Sequence, residues 1–158
     1  MLYILEGCDG VGKSTLANSL KDILDAEIIH CNQYTPNDFY FFDSIAVAAK
    51  NKNIIADRFC YGQFVYQDEK DRPLNQRAGE EGSALHILHE LETRMLAVGV
   101  KAIYVTAPVE DIKDRLAARG ESLINELTVE EVLGKYEAIK SMSILPWITW
   151  YTGGEWNV

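Results

Sequence analysis

Residues Ile4 to Thr15 read ILEGCDGVGKST. Within them Gly7-x-x-x-x-Gly12-Lys13-Ser14 fits the P-loop pattern, and the setting is the one the pattern needs. Before it, residues 2–6 (LYILE) are a short apolar run closed by a glycine, which predicts a buried strand. After it, Leu16, Leu20, Ile23 and Leu24 recur at helical spacing, which predicts a helix over 13–25. Gly7, Gly10 and Gly12 let the backbone turn so that successive N–H groups point inward. The positive end of the helix then faces an anion. Lys13 can reach the β- and γ-phosphates of a triphosphate, and the Ser14 hydroxyl, followed by Thr15, can ligate Mg²⁺. ATP and Mg²⁺ are therefore the expected cofactors.

Working outward, strands and helices alternate. Strands are predicted over 26–30, 53–57, 101–106 and 147–151, and helices over 38–50, 58–67, 79–98, 109–119 and 128–141. The polar stretch 68–77 (DEKDRPLNQR) reads as a loop. The strands are almost wholly apolar, as buried parallel strands are. The pattern predicts an α/β fold: one domain over 1–158, three layers, with a five-stranded parallel sheet flanked by helices. Ligands in such sheets sit at the carboxyl ends of strands, which singles out Glu6, Asp57 and Thr106.

The composition excludes some functions. The chain has 158 residues with 15 basic and 24 acidic side chains, a net charge of −9. A grip on polymeric nucleic acid needs clustered Lys and Arg, so none is expected, whereas a local anion site remains open. No apolar run approaches a membrane span, and residues 1–5 lack a secretory signal's features. Cys8, Cys31 and Cys60 form no C-x-x-C pair, which suits a reduced, cytoplasmic setting. Cys8 is expected to be a tolerated position of the phosphate loop. His86 and His89 lie three apart on a helix with no third ligand in view, and are read as structural.

The second motif is DRFCYGQFVYQ over 57–67. Asp57, at a strand end beside the phosphate loop, can hold Mg²⁺ or accept a hydrogen bond from an acceptor. Arg58 can clamp an anion with its planar fork. No N-K-x-D motif of a GTPase switch is present, and a small acidic domain suits a kinase for a small acceptor.

These residues resemble the thymidylate kinase family. LEGCDGVGKST is similar to that family's Glu-Gly-x-Asp-Gly-x-Gly-Lys-Ser-Thr loop, and DRFCYGQFVYQ to its D-R-[YF]…A-Y-Q segment. YVTAPVEDIKDRLAARGE resembles the segment leading into the family's lid, and TVEEVLGKYEAI the helix after it. The resemblance implies that Lys13, Ser14 and the loop backbone hold ATP and Mg²⁺. It implies that Asp9 approaches the acceptor's sugar 3′-hydroxyl and the metal, and that Arg58 binds the acceptor's 5′-phosphate. It further implies that Gln63 contacts the base, that Tyr66 packs beneath the sugar, and that Phe41 or Phe42 stacks on the base. Some of the four aromatics Phe39–Phe42 must face the core, because consecutive helical residues point in all directions. Family members are commonly homodimers.

The chain departs from the family in its cations. The loop after the second strand reads HCNQYTPND where the family carries Arg-Glu-Pro. Ile45 and Ala46 stand where a thymine-reading Arg would follow the stacking Phe. Gly10 stands where some members carry an Arg in the phosphate loop, and the lid, over 120–127, reads ESLINEL from residue 121 on, without one. Phosphoryl transfer needs positive charge. Arg115 and Arg119, four apart on one helix face, can supply it to ATP, with Arg119 a catalytic candidate; Arg72 and Arg77 are further candidates from the polar loop. The expected activity is transfer of the ATP γ-phosphoryl to a deoxynucleoside 5′-monophosphate, with dTMP the leading acceptor. A deoxynucleoside kinase acting on a 5′-hydroxyl and a non-catalytic nucleotide-binding module stand as alternatives.

Overall fold

A computed structural model of the chain describes residues 1–32, 34–77, 80–81, 83–123 and 127–152. Its strands are β1 (Leu2–Glu6), β2 (Ala26–His30), β3 (Asn53–Asp57), β4 (Gln76–Arg77), β5 (Glu80–Glu81), β6 (Val100–Thr106) and β7 (Trp147–Tyr151). Its helices are α1 (Lys13–Ile23), α2 (Phe39–Ala48), α3 (Gly62–Tyr66), α4 (Ala84–Val98), α5 (Val109–Arg119) and α6 (Val129–Met142). Five strands form one parallel sheet in the order β2-β3-β1-β6-β7, while β4 and β5 make a short antiparallel ladder apart from it. The expected α/β class and five-stranded parallel sheet are both present.

Burial along each strand follows its place in this order. β1 is central, and its Leu2, Ile4 and Leu5 are fully buried. β3 beside it buries Ile54, Ile55 and Ala56. β7 is an edge, with Ile148, Trp150 and Tyr151 exposed. Helix starts follow capping rules: Asp38 accepts from Phe41 N at the head of α2, and Thr128 accepts from Glu131 N at the head of α6. Around the sheet, α2 packs on α4, and α6 on α3 and α5. A buried carboxylate, Glu92 of α4, joins three segments: it accepts from Tyr61 Oη at 2.8 Å, from Ile144 N at 3.2 Å and from Ser143 Oγ.

The order of the strands makes the functional crevice. β1 connects through α1 to β2 on one side, and β6 connects through α5 and α6 to β7 on the other. The two connections diverge, and a crevice opens where they part, at the carboxyl ends of the strands.

Two predicted helices start later than expected. The helix expected over 58–67 is only Gly62–Tyr66, because residues 58–61 form a turn held by Glu6. The helix expected over 79–98 runs Ala84–Val98; residues 79 and 82 lie outside the described residues. The loop expected over 68–77 holds two 3₁₀ turns, Glu69–Asp71 and Pro73–Asn75, and then β4. Of the expected lid over 120–127, residues 124–126 lie outside the described residues. Among the described residues, no helix is long and apolar enough to cross a membrane.

Candidate active site

The loop from Gly7 to Gly12 connects β1 to α1. Gly7 takes φ 151°, and a Cβ there would sit 2.1 Å from the Val105 carbonyl oxygen of β6. Only a residue without a side chain lets the loop run this close to the neighbouring strand. Gly7→Ala should therefore destabilise the fold by roughly 2–5 kcal/mol through clash and backbone strain together. Urea unfolding checks this; a midpoint equal to that of the natural chain would contradict it. Gly12, at φ 95°, is the N-cap of α1 and carries no capping side chain, so the helix's first N–H groups stay available to an anion.

Lys13, the first residue of α1, is buried, and its Nζ donates to Gly7 O at 2.7 Å and Cys8 O at 2.8 Å. Burial lowers its pKa, opposed by the nearby charges of Glu6 and Asp57. Ser14 Oγ donates to Asp57 Oδ2 at 2.7 Å across the gap between α1 and β3. With its proton committed to Asp57, the hydroxyl keeps its lone pairs for a cation. Ser14 and Asp57 thus fit Mg²⁺ carried in with nucleotide phosphates.

Asp57 has a second donor that the sequence reading missed. His30 ends β2 in register with Asp57, and its Nδ1 lies 3.0 Å from Oδ2. The strand-end rule that singled out Glu6, Asp57 and Thr106 finds His30 as well when applied to β2.

Arg58 follows Asp57 in the left-handed region, at φ 68°. Strain of this kind in a non-glycine residue costs on the order of 1 kcal/mol and needs support. Its N–H donates to Leu5 O at 2.9 Å, its guanidinium pairs with Asp9, and its Cζ lies 6.0 Å from the Tyr66 ring centre. Beyond it, Glu6 Oε2 accepts from Phe59 N at 3.0 Å and Tyr61 N at 3.1 Å, and Oε1 accepts from Tyr136 Oη at 3.1 Å. Glu6 is fully buried, and desolvation pushes its pKa up to about 7.

The raised pKa makes a stability prediction. A folded state that holds a proton more tightly than the unfolded chain loses stability as pH rises from about 4.5 to about 7. Glu6→Gln keeps an acceptor for Phe59 and Tyr61 and removes the ionisation. The difference in unfolding free energy, variant minus natural, should rise by about 3 kcal/mol across that interval. A difference independent of pH, from chemical denaturation at pH 4.5 and 7.5, would contradict the assignment.

One cleft of about 490 Å³ gathers most of these groups: Asp9, Gly10, Gly12, Lys13, Ser14, Thr15, Asp57, Arg58 and Arg119 all line it. Its volume suits a small-molecule site. Among the described residues, His30, Cys31, Asn32, Tyr34 and Glu121 line it as well.

Other expected residues stand elsewhere. Arg115 turns onto the outside of the loop, its Nη1 donating to Gly10 O at 3.1 Å and Thr152 Oγ1 at 3.4 Å, so it props the loop and does not line the cleft. Phe42 is fully buried against Phe59, 4.7 Å between ring centres, and is closed to a stacking base; Phe41 is half-buried. Gln63 is buried with its amide committed at both ends, donating to Asn37 O at 2.6 Å and accepting from Leu74 N at 3.0 Å. It ties segments together instead of facing the cleft. Tyr66 is buried edge-on to Tyr136. Arg72 is latched onto α3, donating to Gln63 O at 3.0 Å with its Cζ 4.8 Å from the Phe64 ring centre. Arg77 belongs to β4, and its side chain lies outside the described portion. Burial pushes the Cys8 thiol up to about 11, which keeps it protonated. His89 Nε2 meets Met142 O at 2.7 Å, and His86 is exposed.

No family model matches the sequence. The SPbeta prophage-derived uncharacterized protein YorR of Bacillus subtilis (strain 168) is 30% identical over 164 residues, covering 99% of this chain and 91% of that protein. A crystal structure of the Bacillus subtilis YorR protein in complex with phosphorylated GDP superposes with a TM-score of 0.73 at 26% identity, covering 96% of this chain and 85% of that one. A deoxyadenosine kinase from M. mycoides with bound dCTP matches with a TM-score of 0.54 at 20% identity, covering 96% of this chain and 89% of that one. That likeness is one of fold: the architecture is the P-loop nucleotide-kinase type.

Proposed function

This chain belongs to the family of Bacillus subtilis YorR, and from that premise we propose that it transfers the γ-phosphoryl of Mg·ATP to the 5′-phosphate of a deoxynucleoside monophosphate, dTMP being the first candidate. The observation that carries the reading is the shared cleft: Lys13 at the head of α1 and Arg58 at the end of β3 face one space, with Arg119 at its rim. Each cation grips a different phosphate chain, so that an oxygen of the acceptor phosphate can bond the γ-phosphorus as its bond to the β,γ-bridging oxygen breaks and ADP leaves.

The residues perform the transfer chiefly by alignment. Lys13 exchanges the Gly7 and Cys8 carbonyls for the β- and γ-phosphates. Arg58 exchanges Asp9 for the acceptor phosphate, and Asp9 is then available to the acceptor's sugar hydroxyl. Ser14 and Asp57 would hold Mg²⁺, whose chemistry is to neutralise charge on the β- and γ-oxygens. Arg119 takes the part of the cations absent from the phosphate loop.

Arg58 in the cleft favours a monophosphate acceptor over a nucleoside: its planar cation fits an acceptor phosphate, which is already anionic and needs no base, whereas a 5′-hydroxyl would need a carboxylate such as Asp57 to take its proton. For the base, the YorR structure with phosphorylated GDP brings guanine nucleotides into consideration beside thymine.

An acceptor panel tests the reading. Mg·ATP is supplied with dTMP, dCMP, dAMP, dGMP, GMP and thymidine in turn. A diphosphate from at least one monophosphate is expected. Product from thymidine alone would make the protein a nucleoside kinase, and ATP binding without any product would make it a nucleotide-binding module.

A further inference from the structure

The cleft as built lacks the ring that the sequence assigned to the acceptor's base. Phe42 is fully buried, and neither it nor Phe41 lines the cleft. A nucleobase presents two apolar π-faces, and the walls around it are otherwise polar, glycine or cysteine. Among the described lining residues, the one phenol or phenyl ring is Tyr34, in the loop between β2 and α2, 87% exposed; the other ring, the His30 imidazole, has its Nδ1 3.0 Å from Asp57 Oδ2. An exposed ring at a cleft rim leaves apolar area in water that a stacked base would cover.

The loop that carries Tyr34 is tied to the acceptor side of the site. The Tyr34 N–H donates to Asn32 Oδ1 at 2.8 Å, and Asn32 O accepts from Thr35 Oγ1 at 2.7 Å and Asn37 Nδ2 at 2.8 Å. Gln63 of α3 then donates to Asn37 O at 2.6 Å. The loop and the segment bearing Arg58 are thereby held together, and Tyr34 and Arg58 line the same cleft, so a nucleotide whose phosphate meets Arg58 can turn its base toward this loop. We propose that Tyr34 stacks on the acceptor's base and so sets the affinity for the acceptor nucleotide; this rests on the kinase reading above. Gln63 acts on the same pocket as a positioning residue, through Asn37.

Calorimetric binding of dTMP, dGMP and deoxyribose 5-phosphate to the natural chain, Tyr34→Ala and Tyr34→Phe tests the proposal without requiring turnover. Tyr34→Ala should bind dTMP and dGMP about tenfold more weakly, and baseless deoxyribose 5-phosphate within twofold of the natural chain. Tyr34→Phe, which keeps the ring, should stay within twofold for all three. The purine should lose at least as much as the pyrimidine. Unchanged nucleotide binding by Tyr34→Ala, or an equal loss for deoxyribose 5-phosphate, overturns the proposal. Because these are equilibrium measurements, they decide on Tyr34 even if the acceptor panel yields no diphosphate. If the natural chain binds no monophosphate at all, the proposal and the kinase reading fall together.

Discussion

Lys13→Ala should lower turnover by at least about a thousandfold with the fold intact. Lys13 Nζ sits inside the loop, donating to Gly7 O and Cys8 O, both acceptors that a triphosphate's oxygens can replace. A preorganised cation aimed at developing charge in a water-poor site is worth several orders of magnitude in rate. The folded state loses little, because a buried ammonium costs desolvation that two carbonyl bonds only partly offset. Steady-state turnover with the best acceptor and a thermal melt of the same sample check both halves. Activity within tenfold of the natural chain, at an unchanged melting temperature, would contradict the assignment.

Arg58→Ala should raise the acceptor's KM roughly 30- to 150-fold, the effect of losing a charge-assisted, two-pronged contact of about 2–3 kcal/mol. The KM for ATP should stay within about threefold, because ATP is gripped from the α1 side. Arg58→Lys should not restore the acceptor's KM, since a point charge lacks the planar fork. The backbone supplies a second readout. At φ 68° a glycine is unstrained, so Arg58→Gly should be more stable than Arg58→Ala by on the order of 1 kcal/mol. Equal KM increases for both substrates would show that Arg58 serves the whole cleft and not the acceptor.

Much of this molecule is written locally in the chain. Gly7-x-x-x-x-Gly12-Lys13-Ser14 between an apolar run and a 3.6-residue repeat states its own geometry, because each residue's role depends on its immediate neighbours. Asp57 and Arg58 were legible for a similar reason: they close an apolar strand, and strand ends are where ligands collect in parallel sheets. What escaped depends on contacts distant in sequence. Glu6 captures Phe59 N and Tyr61 N more than fifty positions away, and this cuts short a helix that the sequence pattern would start at residue 58. Arg115 lies four residues from Arg119 on α5, yet it faces Gly10 O and Thr152 while Arg119 faces the cleft. No helical period distinguishes those two fates. The resemblance implies that Phe41 or Phe42 stacks on a base, whereas packing against Phe59 places Phe42 in the core. Tyr34 gave no periodic signal at all, since it lies in a loop.

The proposed transfer requires Lys13 and Arg58 to grip two nucleotides in one continuous cleft. The most direct test is binding of a bisubstrate compound in which adenosine and thymidine are joined through five phosphates. A molecule that fills both halves gains from the effective concentration of its second half. It should bind at least about a hundredfold more tightly than ATP or dTMP alone, compete with both, and lose most of that advantage in Arg58→Ala. Competition with ATP alone, at an affinity no better than that of ATP, would show that the cleft holds a single nucleotide and would contradict the account.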